Sequence, residues 1–247
     1  MYEKTFSIPY NGLDPRRKMK PGLLLEFLQE TADLHSQTMR MSVDDLRERG
    51  LTWVLRRYRI NVLHYPGRED LLVRTWYEPV RNLHSVRVFD VTDVRGVPVA
   101  RAWSGWVLYD KKNGRPLRLD RAAPPAYYEM SDPTGEAVSG DIEPIGEEPA
   151  SETDYRVRWQ ELDVNGHANH TVFCNWALES VPEAVLRTHL PTEIDIVYLN
   201  QVTLEDITVR TRQTNTTPPR FTHSIRLKDT PIEAARLTTA WTEAERL

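Results

Sequence analysis

Cysteine is almost missing from this chain. Its 247 residues include one, Cys174, which excludes an internal disulfide framework and fits a reducing compartment. Long apolar runs are missing as well. No stretch is long enough to span a bilayer, and the opening residues, MYEKTFSIPY, carry charge where a signal peptide needs an apolar core. The protein is therefore expected in the cytoplasm, with no membrane contact. A strong excess of one charge is absent too. A formal net charge of -4, from 32 basic and 36 acidic side chains, gives no mark of a nucleic-acid binder. With 40% hydrophobic and 28% charged residues, the composition is that of a globular protein long enough for one large domain or two ordinary ones.

Periodicity divides the chain. Residues 5–15 (TFSIPYNGLDP) suit a short strand and a turn. From Pro21 a helix is predicted, since proline fits a first turn and Leu24, Phe27, Leu28, Thr31 and His35 follow at helical spacing. A second helical piece runs from Ser42, a natural cap, to Arg49 before Gly50. Alternation then takes over at Leu51 to Val62, with further strands at Leu71 to Tyr77, Ser85 to Thr92 and Val97 to Tyr109. Between them lie polar or Gly/Pro breaks, one of them Pro79 to His84. Residues 121–151 are rich in Pro, Gly, Ala and acidic side chains, and read as a linker too polar to supply core. Domains are expected at 1–120 and 152–247.

The second part repeats the first. Leu162-Asp163 matches Leu13-Asp14, and the segment ending at Glu179 matches the one ending at Glu30, both 149 positions on. Glu205 to Thr211 (EDITVRT) then matches Glu69 to Thr75 (EDLLVRT) 136 positions on, and Trp241 answers Trp106 at 135. Four matches in one order indicate duplication, with the shortened step expected where the first half has its extra helical piece. Each half would hold a long apolar helix wrapped by a curved antiparallel sheet. Two such sheets side by side would protect their edges and leave a seam for a ligand with a long apolar part.

Chemistry points to one stretch, Trp159 to Pro182 (WQELDVNGHANHTVFCNWALESVP). Asp163, Asn165 and His167 alternate immediately before an amphipathic helix, so that a carboxylate, an amide and an imidazole can converge near helix N–H groups suited to an oxyanion. The plainer alternatives are that Asn165-Gly166 is only a turn and Asp163 only a cap. Cys174, in the apolar part of that helix, is expected to be a buried thiol. His167 and His170 have no third ligand at a convincing spacing, so no metal is expected, and no cofactor.

Trp159, Asp163, Asn165, His167 and Asn169, followed by Trp176, Leu178, Glu179 and Ser180, resemble the acyl-acyl carrier protein thioesterases, which have a double hotdog fold of class α+β. The resemblance covers nearly the whole length. It implies two tandem hotdog domains, the first shaping an acyl pocket and the second catalytic, and hydrolysis of the thioester between a fatty acyl chain and acyl carrier protein in fatty acid biosynthesis. It also implies functional roles for Asp163, Asn165 and His167. A further acidic position of the family, in a Tyr-x-x-Glu pattern on the strand after the helix, falls on Gln201 in Tyr198-Leu199-Asn200-Gln201, and His170 replaces the second Asn of a usual pair. Glutamine cannot act as a general base. Asp163 is then expected to activate water or attack directly, with Asn165 and His167 positioning water and carbonyl and N–H groups near Asn169 and His170 facing the oxyanion. Glu205 is a fallback carboxylate, expected in a solvated turn. Two basic clusters, Arg16, Arg17, Lys18 and Lys20 with Arg56, Arg57 and Arg59, either steer an acidic carrier protein or form a solvated face. Alternatives are a thioesterase of coenzyme A esters and a non-hydrolytic acyl-binding homologue disabled at Gln201. Chain-length preference and the choice between monomer and homodimer are not legible.

Overall fold

The computed structural model describes residues 1–78, 84–123, 140–146 and 150–246. Most of the expected break at 79–84, and residues 124–139 and 147–149 of the expected linker, lie outside these. The chain divides into two compact units, Met1–Arg59 with His64–Ser139, and Ile60–Leu63 with Gly140–Leu247.

The first unit contains β1 (Tyr2–Ser7), α1 (Pro21–Thr38), α2 (Val43–Glu48), β2 (Leu51–Val62) up to Arg59, β3 (Asp70–Glu78), β4 (His84–Asp93), β5 (Pro98–Asp110) and the two-residue β6 (Arg115–Pro116). Its sheet runs in the order β1-β3-β4-β5-β2, with β6 on β5. Pro21 stands at the start of α1, and Leu24, Phe27, Leu28, Thr31 and His35 are buried as one face. That face lies against β1 and β3, where Phe6 and Phe27 stack with ring centroids 4.4 Å apart. Ser42 and Asp45 close a reciprocal capping box on α2. Gly50, at φ 69, turns the chain into β2, in the left-handed conformation that glycine adopts most easily.

The second unit contains β7 (Ser151–Arg156), α3 (His170–Glu179), α4 (Glu183–Thr188), β8 (His189–Tyr198), β9 (Asp206–Thr216), β10 (Pro219–Leu227) and β11 (Glu233–Glu243). Its order is β7-β9-β10-β11-β8, the first unit's order element for element. Register repeats too. Tyr2 faces Thr75 across β1 and β3, and Ser151 faces Thr211 across β7 and β9. Trp106 Nε1 donates to Ser104 Oγ at 2.8 Å, and Trp241 Nε1 donates to Thr239 Oγ1 at 2.9 Å. Both units are α+β, a helix against an antiparallel sheet.

Two expectations are corrected. The second helical piece is not peculiar to the first half, since α4 is the counterpart of α2. Instead, the main helix differs, with 18 residues in α1 and 10 in α3. Nor is the region after residue 121 without core. Ile142 and Ile145 are buried, and Arg236 ties the strand there, donating to the Ile142 carbonyl at 3.0 Å. The sequence obscured this because two isolated isoleucines among acidic residues make no period. Among the described residues, no helix is long and apolar enough to cross a membrane.

Candidate active site

Between β7 and α3 the chain makes a 3-10 turn at Trp159–Glu161, then a closed loop. Leu162 and Ala168 form an antiparallel bridge at its base. Inside it, Asp163 N–H donates to the His167 carbonyl at 2.7 Å and Gly166 N–H to the Asp163 carbonyl at 3.0 Å. Gly166, at φ 77, supplies the left-handed residue that such a loop needs. The Asp163 carboxylate completes the closure: Oδ1 accepts the N–H of Asn165 at 2.8 Å and of His167 at 3.2 Å. The backbone N–H groups of Asn165 and His167 therefore gather at the Asp163 carboxylate, through ring closure and not through the side-to-side alternation of an extended strand. Asn165 is exposed, while Asp163 and His167 are half-buried.

Asp163 does not cap the helix. Asn169 does, its Oδ1 accepting from Thr171 N–H at 3.1 Å and from the Thr171 hydroxyl at 3.2 Å. The backbone N–H of Asn169 donates to the Glu161 carbonyl at 2.8 Å, so it is not available to an oxyanion, contrary to expectation. Helical N–H groups begin at His170. Burial pulls the His170 imidazole down to about 4, against the opposing pull of the Asp163 charge, and leaves the ring neutral at pH 7. Tyr198 Oη donates to the His170 carbonyl at 3.0 Å.

Glu161 is a structural carboxylate that sequence reasoning missed. Its Oε2 accepts from Arg158 N–H at 2.8 Å and its Oε1 from the Trp176 indole at 3.4 Å, binding the entry turn to the helix. Spacing of three residues from Arg158, as in a capping box, was the available signal. Cys174 is buried and its thiol is pushed up to about 12 by desolvation, so it is no nucleophile at neutral pH. Among the described residues no three His, Cys, Asp or Glu side chains are placed to hold a metal ion.

Gln201 lies beyond the strand on which it was expected, because β8 ends at Tyr198. Leu199 and Asn200 turn away by donating their N–H groups to the Ala234 carbonyl at 2.9 and 3.1 Å. The next segment returns to the site: Ala168 N–H donates to the Val202 carbonyl at 2.8 Å, so the chain at Gln201 runs beside the chain at His167. The Gln201 side chain is exposed and makes no hydrogen bond with described residues. Glu205 is half-buried, with Oε1 accepting from the Thr203 hydroxyl at 2.6 Å. It fastens the turn in which it was expected, through a hydrogen bond exposed to solvent.

The basic clusters are less free than their sequence suggests. Arg16 is paired with Asp14 at 2.7 Å, Lys18 and Lys20 donate to the carbonyls of Tyr65 and Asn11 at 3.0 and 2.9 Å, and Arg57 is buried.

The sequence pattern of the acyl-ACP thioesterase N-terminal domain matches residues 1–123, and that of the C-terminal domain matches residues 146–243. A chloroplastic acyl-[acyl-carrier-protein] hydrolase of Cuphea viscosissima is 27% identical over 93% of this chain. A chloroplastic oleoyl-acyl carrier protein thioesterase of Arabidopsis thaliana is 27% identical over 79% of it. The chain spans only 60% and 58% of the length of these two relatives. Among solved structures, the 12:0-ACP thioesterase from Umbellularia californica superposes with a TM-score of 0.86 at 21% identity, covering 98% of this chain and 94% of that one. An acyl-ACP thioesterase from Bacteroides thetaiotaomicron also gives 0.86, at 20% identity and 97% coverage of each chain. At such identities the superpositions speak for the fold. With both domain patterns matched in order over most of its length, the chain belongs to the acyl-ACP thioesterase family and has its double hotdog fold.

Proposed function

We propose that the protein hydrolyses the thioester of a fatty acyl chain carried by acyl carrier protein, releasing free fatty acid and the carrier thiol. The observation that carries this reading is the closed loop from Asp163 to His167, which holds a carboxylate, an amide and an imidazole beside the first turn of α3. The relatives named as acyl-carrier-protein hydrolases and thioesterases supply the substrate class.

In the proposed reaction a water oxygen bonds to the thioester carbonyl carbon while its proton passes to the Asp163 carboxylate. The tetrahedral intermediate then expels sulfur, and that proton ends on the leaving thiolate. Asn165 and His167 orient water and carbonyl, and the His170 N–H at the positive end of α3 favours the oxyanion. Gln201 flanks this array without serving as base. Its exposed, neutral amide also supports a second reading, an acyl-binding homologue with little turnover.

Assays with one acyl group on carrier protein and on coenzyme A test both points. Faster hydrolysis of the carrier ester is expected. Equal rates would favour a coenzyme A thioesterase, and persistence of both esters would favour the binding protein.

A further inference from the structure

The loop that holds Asp163 recurs twice more among the described residues. In each copy an aspartate opens the loop, its N–H donates to the carbonyl of the fifth residue, and its own carbonyl accepts from the fourth. For Asp14 these bonds are 2.8 Å to Lys18 and 2.9 Å from Arg17, and for Asp93 they are 2.9 Å to Val97 and 3.0 Å from Gly96. The fourth residue is left-handed each time: Arg17 at φ 64, Gly96 at 85 and Gly166 at 77. Oδ1 accepts the N–H groups of the third and fifth residues in every copy. The distances are both 2.9 Å at Asp14 and both 2.8 Å at Asp93. Holding two backbone N–H groups is thus what this aspartate does in any such loop, with or without chemistry nearby.

The copies differ at the second oxygen. Asp14 Oδ2 accepts from Arg16 Nε at 2.8 Å and lies 2.7 Å from its Nη2. Asp93 Oδ2 does the same with Arg95, also at 2.8 and 2.7 Å. The third residue is arginine in both, and its guanidinium clamps the outer oxygen. In the Asp163 loop the third residue is Asn165, whose Nδ2 stands 3.5 Å from Oδ2, at the outer limit of a hydrogen bond. No cation reaches Oδ2 among the described residues.

Resting on the hydrolase reading, we propose that the two oxygens of Asp163 have separate duties: Oδ1 is spent on the loop, Oδ2 alone takes the proton of the attacking water, and Asn165 is the positioning residue that leaves Oδ2 unclamped. The proton balance is that of the hydrolysis above, with Oδ2 as the atom that receives the proton and then yields it to the thiolate. An arginine at position 165 would turn the site into the inert form seen at Asp14 and Asp93, since an oxygen held in a bidentate ion pair is a poorer base. The titratable groups around Asp163 are His167 in its own loop, His170 at the start of α3, which feels its charge, and Glu161, already held by Arg158 and Trp176.

The test is Asn165→Arg, assayed with Arg95→Asn as the converse change in a loop remote in sequence from the site. Asn165→Arg is expected to lower kcat roughly 100-fold, to move the acid limb of the pH profile of the remaining activity down by about one to three units, and to leave Tm unchanged or higher. Arg95→Asn should lower Tm and leave kcat within about twofold. A folded Asn165→Arg protein with wild-type kcat and an unmoved acid limb would overturn the division of the carboxylate while leaving the hydrolase reading intact. A wild-type protein that cleaves neither carrier nor coenzyme A esters would overturn both.

Discussion

Lys18 reaches the main chain of Tyr65, its Nζ donating to the carbonyl at 3.0 Å. These two residues are the first-half counterparts of His167 and Gln201, at the same offsets of 149 and 136 that relate the two units. The frame around them repeats: Met19 N–H donates to the Pro66 carbonyl at 2.8 Å, as Ala168 N–H does to Val202. The backbone at position 167 therefore lies beside the segment at 201, as Lys18 lies beside Tyr65. Gln201→Glu should place a carboxylate beside the Asp163 loop and raise kcat roughly tenfold. Steady-state kinetics of the variant against wild type checks this. An unchanged kcat would show that the side chain at 201 does not reach the site.

Asp163→Asn and Asp163→Ala should part company. Asparagine keeps an oxygen for the two backbone N–H groups now held by Oδ1, so the loop should persist while turnover falls at least 100-fold. Alanine removes that acceptor as well and should cost about 1–3 kcal/mol of stability. Urea unfolding of both variants measures the difference. Equal stability would mean that the loop closes without the carboxylate.

Two buried histidines, His35 and His223, and the half-buried His170 make the fold sensitive to acid. Burial, with the neighbouring Arg87 charge and the N-terminus, pulls His35 down to about 3, and the Arg87 guanidinium pairs with its Nδ1 at 3.0 Å. Burial also pulls His223 down to about 3 and His170, despite Asp163, to about 4. His223 is enclosed by hydroxyls, with Thr211 Oγ1 at 2.9 Å and Thr239 Oγ1 at 3.0 Å. Since the unfolded rings titrate near 6.5, the unfolded chain binds more protons below that pH, and stability falls as pH drops from about 6.5 toward 4. The loss approaches about 1.4 kcal/mol per pH unit for each histidine. Replacing His223 with Gln should lower the slope by one proton in urea unfolding between pH 7 and 4.5. An unchanged slope would contradict its neutral burial.

Much of this was legible in the residues. The apolar stripe of α1 and the Ser42 cap fixed elements because helical spacing and capping are local signals. The duplication was visible in Leu13-Asp14 and Glu69 to Thr75, while the strand order, which rests on pairings between distant segments, was not. The site motif marked the loop that the Asp163 carboxylate closes. Whether Asp163 caps the helix or closes the loop was not legible, because both leave the same letters, and only the hydrogen bonds of Asn169 and Asp163 separate the two. Gln201 was placed on a strand because nothing in Tyr198-Leu199-Asn200-Gln201 announces a stop. The Ala234 carbonyl that ends β8 lies far along the chain.

Hydrolysis of an acyl thioester releases free fatty acid, which is its direct witness. Mass spectrometry should follow the purified protein with carrier-bound acyl chains of graded length, reading acid and carrier thiol together. Equimolar release of free acid and thiol with multiple turnovers, greatest for one range of chain lengths, is the expected result. Acyl thioesters that stay intact under saturating protein at every length would contradict it.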